Sequence, residues 1–236
     1  RLVPRAVTVV LVQQLVRPVG HHGVLRILQK DAAHIERAHQ AHGEEALLPT
    51  TVQHHALVQR EQALHLVRVE RLHGQQLARR LCGGGPLYYW ATLEPTDSED
   101  REIVRRHLQE RDGWGFQTIE RGRALTEGLA NLSRDGTVLF DSVTACLACQ
   151  MFSGEKPDPG GTERMTQELL LVSRAPRHFI AVCDEIWRDG DSYPRWTEEY
   201  RRGLALACRR LAAEFDVVCE MTAGLPRLWK GVWPDE

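Results

Sequence analysis

From Cys82 onward, short apolar runs alternate with longer amphipathic stretches, and this alternation restricts the fold more than any other feature of the chain. The runs 87-LYYWAT-92, 137-TVLFD-141, 178-HFIAVCD-184 and 216-DVVCEM-221 have strand length and strand composition. Between them, 98-SEDREIVRRHLQER-111, 123-RALTEGLANL-132, 163-ERMTQELLLVSR-174 and 197-TEEYRRGLALACRRLAAEF-215 are long enough and periodic enough for helices. Strands separated by helices are joined by crossovers, which makes them parallel, so the expectation is an α/β fold with a mostly parallel sheet. Ser98 and Thr197 are expected to start their helices, because a hydroxyl satisfies a free N–H there and the acids that follow suit the positive end.

The first 81 residues have a different chemistry. They contain no Phe, Trp, Tyr, Met, Cys, Ser or Asn, yet hold nine of the eleven histidines. A segment without aromatics has poor means to build a core, and one without Ser or Asn has poor means to turn. Their net charge is +5, against −7 for residues 82–236. Three readings are open: a poorly ordered tail, a basic interaction arm, or a stretch translated out of frame ahead of a genuine domain. The last fits this composition best, so residues 1–81 are read as an atypical segment, disordered or mistranslated, before a domain over 82–236. The pairs His21-His22 and His54-His55 lack the second ligand pair that a zinc site needs.

The overall net charge of −2 gives no reason to expect nucleic acid or an anionic membrane as partner. No apolar stretch reaches membrane-span length, and the opening residues lack a signal-peptide core. Six cysteines, mostly within apolar runs, do not resemble a secreted disulfide framework, and the expected location is the cytoplasm.

In a parallel sheet, ligands bind beyond the carboxyl ends of the strands. Those positions are Ala91-Thr92-Leu93-Glu94, Asp141-Ser142 and Asp184-Glu185. Asp141 closes a buried strand, the place from which an acid holds Mg²⁺ beside a phosphate site. His107 stands among Arg105, Arg106 and Arg111. Cationic neighbours disfavour the imidazolium, and a neutral imidazole can act as a nucleophile toward phosphorus. Cys146-x-x-Cys149 stands without a second ligand pair and is a weak metal or redox candidate.

Taken together, 88-YYWATLEP-95, 103-IVRRHLQER-111, 114-WGFQTIE-120, 137-TVLFDSVTACLACQMF-152, 182-VCDEIWRDG-190 and 199-EYRRGLALACRRLAAEFDVVCEMTAGLPRLWKG-231 follow one layout over about 145 residues. In order and spacing this resembles the bifunctional adenosylcobinamide kinase/adenosylcobinamide-phosphate guanylyltransferase family. The resemblance implies a phosphate-loop NTPase-like (RecA-like) fold and a role in cobalamin (vitamin B12) biosynthesis. The implied reactions are phosphorylation of adenosylcobinamide, then GMP transfer from GTP through a guanylylated histidine. It implies His107 as that histidine, with Val104 departing from the motif and Arg111 keeping it. By the same resemblance Ala91, Thr92, Leu93, Arg111, Glu120 and Asp141 line the nucleotide site, and Glu185 and Arg201 support substrate or metal. Mg²⁺ is the implied cofactor, GTP and ATP the nucleotides, and a homo-oligomer, a trimer, the implied assembly.

The family's GGxxSGKS loop has no counterpart in 64-LHLVRVERLHGQQLARRL-81, and no lysine lies between Lys30 and Lys156. The first strand and its loop are therefore expected to be missing. Cys208-Arg209 also departs from the family's asparagine on the last helix. Two rival readings remain open: a nucleotide-binding remnant that forms no covalent adduct, and an inactive homologue that only self-associates.

Overall fold

The computed structural model describes residues 7–14, 73–95, 98–188, 192–222 and 225–234. In chain order they form β1 (Val7–Gln14), α1 (73–81), β2 (Leu87–Ala91), α2 (Ser98–Glu110), β3 (Gln117–Glu120), a 3-10 helix (Leu125–Asn131), β4 (Thr137–Asp141), α3 (Val143–Phe152), α4 (Gly161–Val172), β5 (His178–Glu185), α5 (Arg195–Glu214), β6 (Val217–Thr222) and β7 (Leu225–Lys230). One seven-stranded sheet runs β3-β2-β4-β5-β1-β6-β7. All neighbours are parallel except β6 and β7, which pair antiparallel at the edge. The expected mostly parallel α/β architecture is what the chain adopts.

The expectation of a missing first strand is corrected. Strand β1 lies between β5 and β6, with Val7 opposite His178 and Val9 opposite Val217. The reason is local: 7-VTVVLVQQ-14 is an apolar, β-branched run, and such a run suits a strand flanked on both sides by parallel neighbours. The calls on His21, His22, His54, His55 and on the segment 64–72 lie outside the described residues. Helix 73–81 precedes the domain start expected at Cys82, and its Leu77 and Ala78 are buried in the core.

The sheet separates two apolar layers. Trp90, Phe140, Phe179, Cys183, Leu147, Met165 and Leu204 form the layer covered by α3, α4 and α5. Leu77, Tyr89, Leu139, Ile180, Val182 and Cys219 form the other. Alternate residues of one strand enter opposite layers, as Tyr89 and Trp90 do.

Two helix expectations need adjustment. The stretch 123–132 forms a 3-10 helix rather than an α-helix, following Ala124 in the left-handed region at φ 47°. Gly128 of that helix lies so close to the Trp90 ring that a side chain there would collide with it. Thr197 does not start α5. The helix begins two residues earlier, at Arg195, and Glu198 serves its entry by accepting a bond from the Tyr193 N–H at 3.1 Å.

His178 opens β5 and is 1% exposed. Burial, reinforced by the charge of Arg177, pushes its imidazole below the usual value. The unfolded chain therefore takes up a proton that the folded chain resists, and stability is complete above about pH 6.5 and declines as the pH falls below it. Urea melts at two pH values on either side of that point should differ in midpoint, and the difference should shrink in His178→Phe. A difference of the same size in the variant would show that another group is responsible.

Candidate functional site

The carboxyl ends of β2 and β4 are tied together by one side chain. Thr92, fully buried, donates its hydroxyl to the Ser142 carbonyl at 2.7 Å and accepts from the Ser142 N–H at 2.8 Å. Its own N–H reaches the Asp141 carbonyl at 3.1 Å. Thr92 thus sets where Asp141 and Ser142 leave the sheet. Ser142 then caps α3, accepting from the Ala145 N–H at 3.2 Å. Ala91 and Leu93 flank Thr92 and are half-buried.

Asp141 is 9% exposed and accepts a hydrogen bond from the Tyr89 hydroxyl. Tyr89 lies two residues before Ala91 on the same face of β2, and Ala91 is opposite Asp141. The Arg111 guanidinium stacks 4.0 Å from the Tyr89 ring and donates to the Thr118 hydroxyl at 3.2 Å. Phe116 meets the same ring edge-on at 5.8 Å. Strand-end acid, tyrosine, arginine and threonine therefore form one connected series running from β4 through β2 to β3. Arg111 is buried, so its packing role is established by contacts, whereas His107, one helical turn earlier on α2, is only half-buried. Glu120 ends β3 opposite Ala91 and is exposed.

Glu185 and Arg201 occupy a separate neighbourhood. Glu185 ends β5, buried, with the Arg188 guanidinium at 2.6 Å. Burial pushes its carboxyl up; Arg188 opposes this and the nearby Glu220 adds to it. Glu220 accepts from the Trp229 indole at 2.9 Å. Arg201 is spent on its surroundings: it donates to the Ile186 carbonyl at 2.9 Å, pairs with Glu198 at 2.9 Å and stacks 4.6 Å from Tyr193. It fastens the segment after β5 to α5. Cys208, the departure from the family's asparagine, faces Cys183 across the core with 3.1 Å between sulfurs, so a thiol pair joins α5 to β5.

The Cys146-x-x-Cys149 pair does not converge. Cys146 donates to the Gly122 carbonyl and Cys149 to the Thr92 carbonyl, each at 3.3 Å. Burial drives the Cys146 thiol well above its usual range. Among the described residues no group of three or more His, Cys, Asp or Glu is placed to hold a metal ion on protein ligands alone. Asp141 nonetheless fits the Mg²⁺ expectation, because that ion is commonly held by one or two carboxylates with water and phosphate oxygens completing the shell.

Two residues of this site were not singled out in the sequence, Tyr89 and Gly122, whereas Ser142 was named beside Asp141 at the strand end. Tyr89 had a legible signal, since it shares the Ala91 face of the strand. Gly122 had none, because its closeness to Thr92 and Cys149 comes from chain segments far apart in sequence.

A family model described as cobinamide kinase / cobinamide phosphate guanyltransferase matches residues 73–228, about two thirds of the chain. That span holds α1, His107, the Tyr89-Asp141 series and all strands from β2 to β6. No curated protein matches the chain. No helix among the described residues is long and apolar enough to cross a membrane.

Proposed function

Since the chain belongs to the cobinamide kinase / cobinamide phosphate guanyltransferase family of cobalamin biosynthesis, we propose that it phosphorylates adenosylcobinamide and then transfers GMP from GTP to adenosylcobinamide phosphate through His107. The observation that carries this reading is the placement of His107 on α2. The helix is anchored at its end by Arg111 on Tyr89, while the imidazole one turn away is left half-exposed.

The chemistry asks for a nucleophile, a fixed acid and a defined strand end. An imidazole lone pair attacks the α-phosphorus of GTP, forming a P–N bond as the bond to pyrophosphate breaks. A phosphate oxygen of adenosylcobinamide phosphate then attacks the same phosphorus, the P–N bond breaks, and the imidazole is regenerated. Mg²⁺, when bound, neutralises charge on the departing pyrophosphate. Asp141 would hold that ion. Tyr89 holds the Asp141 carboxylate in place, and Thr92 fixes the backbone on both sides of it. Ala91, Leu93 and Glu120 border the same strand ends and would meet the nucleotide. ATP or GTP would supply the phosphoryl group for the kinase step.

A second reading rests on one observation, the absence of GGxxSGKS and of any lysine between Lys30 and Lys156. The backbone N–H groups and lysine of that loop normally cradle the triphosphate. In that reading the chain binds nucleotide and performs neither transfer. Chromatographic assay of products from adenosylcobinamide, ATP, GTP and Mg²⁺ separates the two. The proposal expects adenosylcobinamide phosphate and its GDP-linked product with the native chain, and only the phosphate with His107→Ala. Neither product from a folded sample would favour the binding-only reading.

A further inference from the structure

We propose that an open cavity of about 350 Å³ between the segment after β3 and the α3–α4 connection binds a small phosphate monoester. It is lined on the face of the sheet covered by α3 and α4, whereas Arg111 and Tyr89 lie on the opposite face. The cavity is therefore separate from the His107 side. Its volume is in the range of small-molecule sites.

The lining carries Arg123, Lys156 and Arg164 against Asp158 and Glu168. Both acids are already engaged. Asp158 pairs with Arg164 at 2.8 Å and accepts from the Gly160 N–H at 2.8 Å. Glu168 accepts from the Leu125 N–H at 2.9 Å. Donors are what is left over. The Lys156 ammonium has no hydrogen bond or ion pair among the described residues. Gln150 lines the cavity and is 6% exposed; its Oε1 accepts from Arg164 at 2.9 Å, which fixes the orientation of the amide. That orientation leaves Nε2 buried with no partner among the described residues.

A buried donor without an acceptor is uncommon in folded proteins, and here its residue lines the same cavity as an unpaired ammonium. The complementary ligand is rich in acceptors and negatively charged. Arg123, exposed and paired with Glu94 at 2.9 Å, places further N–H donors at the same wall. Ala124, half-buried in the wall, provides apolar surface for a short carbon chain, which favours an ester over the free ion.

Cys149 also lines the cavity and supplies a local reporter. The test is the rate of Cys149 alkylation by iodoacetamide in the full chain, mapped by peptide mass, with Cys82 as the internal reference. Glycerol 3-phosphate should slow Cys149 at least tenfold and saturably while Cys82 is unchanged, and glycerol should have no effect. Lys156→Gln and Gln150→Leu should each abolish most of the protection, with an unaltered Cys82 rate showing that the fold is intact; His107→Ala should retain it. Equal rates with and without glycerol 3-phosphate, equal protection by glycerol, or full protection in both cavity variants would overturn the proposal. The readout needs neither GTP nor cobinamide, so its failure would leave the His107 reading untouched, and the reverse also holds.

Discussion

Tyr89→Ala should cost about 4 kcal/mol of folding stability, and Tyr89→Phe about 2 kcal/mol. The ring is 2% exposed and packs between Phe116 and the Arg111 guanidinium. Truncation to alanine removes that packing, opens a cavity and leaves a buried cation without the ring face that it stacks on. Phenylalanine keeps ring and stacking and removes only the hydroxyl, leaving the Asp141 carboxylate short of one donor in a buried position. Because single domains are stable by only about 5–15 kcal/mol, the alanine variant should be near the limit of folding. Urea denaturation, read as a shift of midpoint at constant slope, measures both. Equal losses in the two variants would place the whole effect in the hydroxyl and contradict the stacking role of Arg111.

Gly122→Ala should lower stability by about 3 kcal/mol, although it adds one methyl group. A Cβ at this position would lie 2.5 Å from the Thr92 carbonyl oxygen and 2.9 Å from the Cys149 sulfur. The first obstacle is backbone, and that backbone belongs to the residue clamping Asp141 and Ser142. Relief of the clash therefore has to move the strand end itself. Gly154→Ala is the control, since its Cβ would approach nothing nearer than 3.5 Å and should change stability by less than about 1 kcal/mol. Comparable losses at the two glycines would show that the contact at Gly122 is relieved without moving Thr92.

Both variants bear on how much of the molecule can be read along the chain. The runs at 87, 137, 178 and 216 announce β2, β4, β5 and β6 because each is strongly apolar and bounded by polar residues. Strands β3 and β7 were not legible: β3 buries only Ile119, and all six residues of β7 are exposed with Pro226 among them. Neither therefore shows the pattern of a buried strand. Strand β1 was legible in principle, through its β-branched run, but the unusual composition of the surrounding 81 residues outweighed eight ordinary ones.

The candidate site divides the same way. Strand-end positions such as Thr92 and Asp141 follow from the rule that parallel sheets bind ligands beyond their carboxyl ends. What holds them does not. The Tyr89-Asp141 bond spans 52 residues and the Thr92-Ser142 clamp spans 50, distances over which no local pattern constrains the partner. Arg111 and Arg201 illustrate the converse. Both were expected as site residues from the family layout, and the structure adds a packing role that the layout does not announce: Arg111 stacks on Tyr89 and bonds Thr118, and Arg201 ties Ile186 to Glu198.

The most direct test of the account is the intact mass of the folded chain after incubation with GTP and Mg²⁺, measured beside His107→Ala. The account predicts an acid-labile gain of one GMP on the native chain and none on the variant. No gain on the native chain, or the same gain on His107→Ala, would contradict it.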